Sequence, residues 1–211
     1  MNPNRRAAPA ARAPLRVVFV PGLGDRLGWL VHLQREAVRA WRPLGVRTAM
    51  FRVRWSADVS FEDRLDALDR FVDQFEARGE RVALVGASAG AGAVLAAFAR
   101  RPHLPAVVII AGKFQDPEDI ADQVLDHFGV FHQSLHTVPG LLGSLGPEQR
   151  ARVLALRSAR DGVVDDEDTA LEGAVNETMR IVGHVTAIGY ALTFRARRIV
   201  QFVRQQAASR I

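Results

Sequence analysis

Gly86-Ala87-Ser88-Ala89-Gly90 places one serine midway between two glycines. A serine hydroxyl is a poor nucleophile until a base takes its proton, which imidazole does near neutral pH. The G-x-S-x-G spacing has a steric meaning. A serine exposed on a sharp strand-to-helix turn needs small neighbours, because strand and helix approach closely there. From Gly86 to Ala93 every residue other than Ser88 is Gly or Ala. The flanks fit such a turn, with the apolar run Val82–Val85 before it and the Ala-rich, helix-patterned Ala89–Arg100 after it. Two plainer readings compete: a small-residue turn without chemistry, and a glycine loop that cradles phosphate. A Walker-type loop also requires a lysine at its end, and this motif has none.

Partners for a nucleophile follow later in the chain. Asp161-Gly162-Val163-Val164 comes after an apolar run at 151–158, and Gly183-His184 comes after a shorter one at 177–182. Each has rivals. Asp-Gly by itself is ordinarily a turn. Asp165, Asp166 and Asp168 lie close by, and they read as caps of the next helix or as solvent-facing residues. Of the other histidines, His32 falls in the first helix, His103 just past another, and His127, His132 and His136 in a long segment before the acid. A histidine at a helix start is ordinarily structural, but His184 alone follows the last strand.

The elements that must hold these residues alternate in type. Strand-like runs at 15–20, 46–55, 81–88, 106–112, 151–158 and 177–182 are mostly continuous and apolar. Helical patterns occupy 28–41, 60–77, 89–100 and 184–206, and Ser60 and Asp63 form a capping-box start. The pattern predicts an α/β domain, a mostly parallel sheet of about six strands with helices on both faces. Residues 113–150 break the alternation and read as a helical, cap-like excursion above the strand ends. Its Phe114, Leu125, Phe128, Phe131, Leu135, Leu141, Leu142 and Leu145 either line an apolar pocket or pack the segment onto the sheet.

With these residues in this order, the chain from Leu15 to about Gln206 resembles the α/β-hydrolase superfamily, in which nucleophile, acid and histidine each follow a successive strand. The resemblance implies Ser88 as nucleophile, Asp161 as acid and His184 as base. It also implies two oxyanion donors, the N–H of Ala89 and an N–H from the loop Val20–Asp25, where Leu23 is expected to donate. Pro21 stands where the superfamily's His-Gly loop has histidine, which leaves the donor less defined. Asp25 reads as the N-cap of a helix starting near Leu27. The implied function is a serine hydrolase that cleaves an ester, thioester or small amide through an acyl-enzyme, without metal or cofactor. An acyltransferase with the same residues and a non-catalytic binding or scaffolding protein are the alternatives. The expected partner is a small-molecule acyl substrate.

Composition sets the remaining bounds. The length of 211 residues suits one domain, here 15–211. Without cysteine there are no disulfides, thiol nucleophiles or Cys-ligated metals. No apolar run is long enough for a transmembrane helix. A secretory leader is not expected either, since no apolar stretch of roughly 7–15 residues follows Arg5 and Arg6. The cytoplasm is the expected location. The net charge is +5, and Lys113 is the single lysine among 28 bases. Arg5, Arg6 and Arg12 lie in an acid-free tail at 1–14, expected to be disordered. Six more arginines and no acid lie from Thr178 onward, which leaves the body mildly acidic. No nucleic-acid partner is expected. The basic terminal helix is read as packed on the sheet with a solvated arginine face rather than on a membrane, its arginines suiting the helix C-terminus. No Asp or Arg marks a charged-substrate pocket.

Overall fold

Strands buried on both faces read as near-continuous apolar runs, and 15–20, 81–88, 106–112 and 151–158 do so apart from charged or hydroxyl residues mostly at their ends. The computed structural model describes residues 13–115, 120–164 and 169–209. The strands are β1 (Leu15–Val20), β2 (Arg47–Met50), β3 (Arg81–Ala87), β4 (Val107–Ile110), β5 (Val153–Arg160) and β6 (Val175–Val182). They form one sheet in the order β2-β1-β3-β4-β5-β6, parallel at every pairing. A parallel neighbour requires a crossover, and helices supply the covering layers. These are α1 (Gly28–Arg39), α2 (Phe61–Glu76), α3 (Gly90–Arg100), α4 (Asp122–His127), α5 (Gly129–Leu142), α6 (Pro147–Arg150), α7 (His184–Thr193) and α8 (Ala196–Ala208).

Side chains alternate between two cores. Val17 and Phe19 of β1 pack in one layer with Trp41, Leu192 and Ile199, while Val18 and Val20 pack in the other with Leu65, Leu95 and Phe98. Because all strands run the same way, the turns after β1, β3, β5 and β6 open at one edge of the sheet, where ligands bind in folds of this class. The capping box at the start of α2 is present: Asp63 N–H donates to Ser60 Oγ at 3.0 Å, and Ser60 N–H donates to Asp63 Oδ2 at 3.2 Å.

Three expectations change. The strand expected at 46–55 ends at Met50, and Arg54 takes φ 59, a left-handed conformation that no strand contains. The single terminal helix expected from His184 is two, broken at Phe194-Arg195. The carbonyl of Leu192, which a continuing helix would offer to Ala196, accepts from the buried indole of Trp41 at 2.7 Å. The break moves the arginines: Arg197 and Arg198 sit in the first turn of α8, the wrong end for its dipole. Glu177 of β6 offsets this by pairing with both Arg195 and Arg198.

The excursion at 113–150 carries α4, α5 and α6. Phe114, Leu125, Phe131, Leu135, Leu142 and Leu145 are buried in the core shared with α2 and α3, and Phe128 and Leu141 pack against it partly buried. Nearly all of the basic tail and the acids Asp165, Asp166 and Asp168 lie outside the described residues. Among the described residues, no helix is long and apolar enough to cross a membrane.

Candidate active site

The turn after β3 fits together only without side chains. Ser88 sits at φ 52 between strand and helix. A Cβ on Gly86 would lie 2.3 Å from the Gly90 carbonyl oxygen, and one on Gly90 would lie 2.2 Å from that of Val20. Both are far inside contact distance, so the two glycines allow the backbones to meet. Ser88 N–H donates to the Ile110 carbonyl at 3.0 Å, and the Ser88 carbonyl accepts from Ala91 N–H at 2.9 Å. The left-handed serine is therefore tied to β4 on one side and to its own helix on the other.

Two further turns deliver side chains to it. Gly183, at φ 95, turns the chain out of β6, and His184 is the first residue of α7. Its Nε2 lies 2.9 Å from Ser88 Oγ. Its Nδ1 lies 2.8 Å from Asp161 Oδ1. After β5, Asp161 folds back on its own turn, with Oδ1 accepting from Val163 N–H at 3.2 Å and from Val164 N–H at 3.0 Å. Gly162 at φ 77 makes that turn possible. The Asp161 side chain is 2% exposed and that of His184 is 10% exposed. A buried carboxylate on Nδ1 favours the tautomer with its proton there, which leaves the Nε2 lone pair to accept from the Ser88 hydroxyl.

The turn after β1 faces the same serine. A Cβ on Gly22 would lie 2.7 Å from Ser88 Cβ and 3.1 Å from its Oγ, so the Gly22–Leu23 backbone passes against the hydroxyl. Neither the Leu23 nor the Ala89 amide donates to another described residue.

Similarity to known proteins comes from structure. No protein-family model and no curated protein matches the sequence. Among solved structures, the α/β hydrolase GrgF from Penicillium sp. sh18 is similar with TM-score 0.69 at 14% identity, over 95% of this chain and 92% of that one. Est1E from Butyrivibrio proteoclasticus is similar with TM-score 0.63 at 16% identity, over 93% and 89%. So is a structure from work on two metagenome-derived lipolytic enzymes, LipS and LipT, with TM-score 0.64 at 14% identity, over 92% and 95%. The chain has the α/β-hydrolase fold.

Within that fold the other histidines sit apart from the serine turn. His32 is exposed on α1, His103 pairs with Glu76 at 2.9 Å, His127 meets Arg26, and His132 and His136 approach each other on α5. Asp25 does not cap α1, whose N-cap is Leu27 with no side-chain bond. Asp25 is instead fully buried, and its Oδ2 accepts from Arg54 N–H at 2.6 Å. Burial raises its pKa, against the lowering effects of the Arg54 amide and of the charges on Arg52 and Arg54. Beside it, Trp55 Nε1 donates to the Pro21 carbonyl at 3.2 Å. Sequence reasoning missed these two supports of the α/β-hydrolase fold's first turn. The two side chains lie in mixed sequence beside Arg26, Arg54 and Ser56, and no spacing rule connects them to their partners across about thirty residues.

Proposed function

We propose that the protein is a serine hydrolase cleaving an ester, thioester or small amide through an acyl-enzyme. The observation that carries this reading is His184, which bridges Ser88 Oγ at 2.9 Å and Asp161 Oδ1 at 2.8 Å. In the reaction Ser88 Oγ attacks the carbonyl carbon while its proton passes to His184 Nε2. Asp161 orients the ring and stabilises the imidazolium. The Leu23 and Ala89 amides take the developing oxyanion, which costs little reorganisation because both are fixed backbone groups. Collapse breaks the bond to the leaving group, which receives the proton from His184. Water, deprotonated by His184, then releases the acid and restores Ser88.

The similarity to esterases and lipolytic enzymes supports the class of reaction. Replacing Ser88 with Ala is expected to abolish both labelling by a fluorophosphonate probe and turnover of short-chain nitrophenyl esters. A Ser88→Ala protein that still labels and still turns over would overturn the assignment.

A further inference from the structure

Beyond Met50 the chain leaves the sheet edge with exposure that alternates residue by residue. Val53 and Trp55 are buried, whereas Arg52, Arg54 and Ser56 are exposed. Together with Asp25, Arg26 and Ala57 these outward residues line an open cleft of about 350 Å³. The cleft borders the 3₁₀ turn Leu23–Arg26, which begins at the Leu23 amide. One turn of such a helix advances about 6 Å, so the cleft lies one short turn from the Leu23 amide.

Its charge is answered only in part, by the single buried carboxylate of Asp25. Some arginines elsewhere find acids: Arg16 and Arg47 bind Glu80, Arg100 and Arg101 bind the acids of α2, and Arg195 and Arg198 bind Glu177. Among the described residues Arg52 and Arg54 form no ion pair, and the Arg26 guanidinium meets His127, not a carboxylate. The one acid in the lining, Asp25, is buried and already committed through Oδ2 to the Arg54 amide. Guanidinium remains charged at any physiological pH and its fork of donors matches carboxylate and phosphate oxygens. Three of them against one carboxylate leave a net positive field that an incoming anion can satisfy.

We infer that this cleft binds an anionic group of the substrate, a carboxylate or a phosphate, so that the preferred substrate is an acidic ester with its charge a short distance from the reacting carbonyl. The inference rests on Ser88 being the nucleophile. The sequence by itself marks no charged pocket, and in the structure Arg52 and Arg54 lie beyond the end of β2.

The test compares two esters of equal chain length, mono-4-nitrophenyl glutarate and 4-nitrophenyl pentanoate, which differ by a terminal carboxylate. Wild-type protein is expected to favour the glutarate ester by about tenfold or more in kcat/KM, the size of a charge-assisted hydrogen bond. That preference should weaken with salt. The Arg52→Gln, Arg54→Gln double variant should lose the preference and keep its pentanoate activity within about twofold, as exposed substitutions usually permit. An unchanged preference in the double variant, or equal turnover of the two esters by wild type, overturns the inference. Binding of glutarate and of inorganic phosphate to the Ser88→Ala protein gives a readout independent of turnover, and the tighter of the two identifies the anion. Loss of that binding in the arginine variant with no ester turnover in wild type would sink the Ser88 reading and leave the cleft. Pentanoate turnover with no arginine-dependent binding would do the reverse.

Discussion

The turns after β1 and after β3 meet at the same serine, but they are built in opposite ways. The turn after β3 is fixed by what it lacks: with no side chain on Gly86 or Gly90, three stretches of backbone close onto one another. The turn after β1 is fixed by what reaches it from elsewhere, the Trp55 indole on the Pro21 carbonyl and the Asp25 carboxylate on the Arg54 amide. A backbone that needs glycine states the need at its own position. A turn propped by distant side chains carries no local mark of those props, and here shows only Gly22, where it passes Ser88.

Four substitutions separate the two designs. Gly90→Ala should have the largest effect, since its Cβ would lie 2.2 Å from the Val20 carbonyl oxygen and backbone cannot give way cheaply. A loss of about 3 kcal/mol is expected, the upper part of the range for overpacking, seen as a drop of roughly 6–12 °C in Tm. A Tm within a degree of wild type would mean that the turn after β3 is looser than its contacts. Gly22→Ala disturbs the other turn where it touches Ser88 Cβ. Its expected signature is a fall in kcat of about 100-fold, as for a displaced oxyanion donor, with a much smaller change in Tm. Equal losses of stability in the two variants would erase the distinction between the turns.

Trp55→Phe keeps a buried aromatic ring but removes the donor to Pro21 and part of the buried indole volume. The expected cost is about 2 kcal/mol in denaturant unfolding, from the lost bond and the cavity together, with a modest fall in kcat. Asp25→Asn has the smallest effect and reads out through pH. Because the folded-state pKa of Asp25 lies above its unfolded value of 3.8, ionisation in the folded protein costs stability at neutral pH. That cost disappears as the pH falls through the raised pKa toward 3.8. Wild type should therefore gain stability relative to Asp25→Asn on acidification, measured as the difference between their denaturant midpoints. A difference that stays flat or runs the other way would show that Asp25 is not held ionised against its burial.

The same contrast explains what could be read in advance. The alternation of apolar runs with helical patterns was legible because burial on two faces forces it, and the order of serine, aspartate and histidine was legible because each follows a strand. The geometry then brings Ser88, Asp161 and His184 together. The early end of β2 was not legible, because Arg52 and Arg54 alternate with Val53 and Trp55 as a strand would while Arg54 turns left-handed. Nor was the break between α7 and α8, since the Trp41 indole that takes the Leu192 carbonyl lies far away in the chain. Asp25 looked like a cap for a related reason: its partner is a backbone amide that only the folded chain brings near.

The indole–carbonyl contact at the first turn has an optical consequence. The protein has three tryptophans, of which Trp29 is 68% exposed and Trp41 and Trp55 are fully buried. Replacing Trp29 with Phe would leave two emitters, both shielded from water and each hydrogen-bonded to a carbonyl. One reports on the junction of the last two helices and the other on the turn beside Ser88. With Trp41 also replaced, the remaining emission would become a single-site gauge of the environment of that turn.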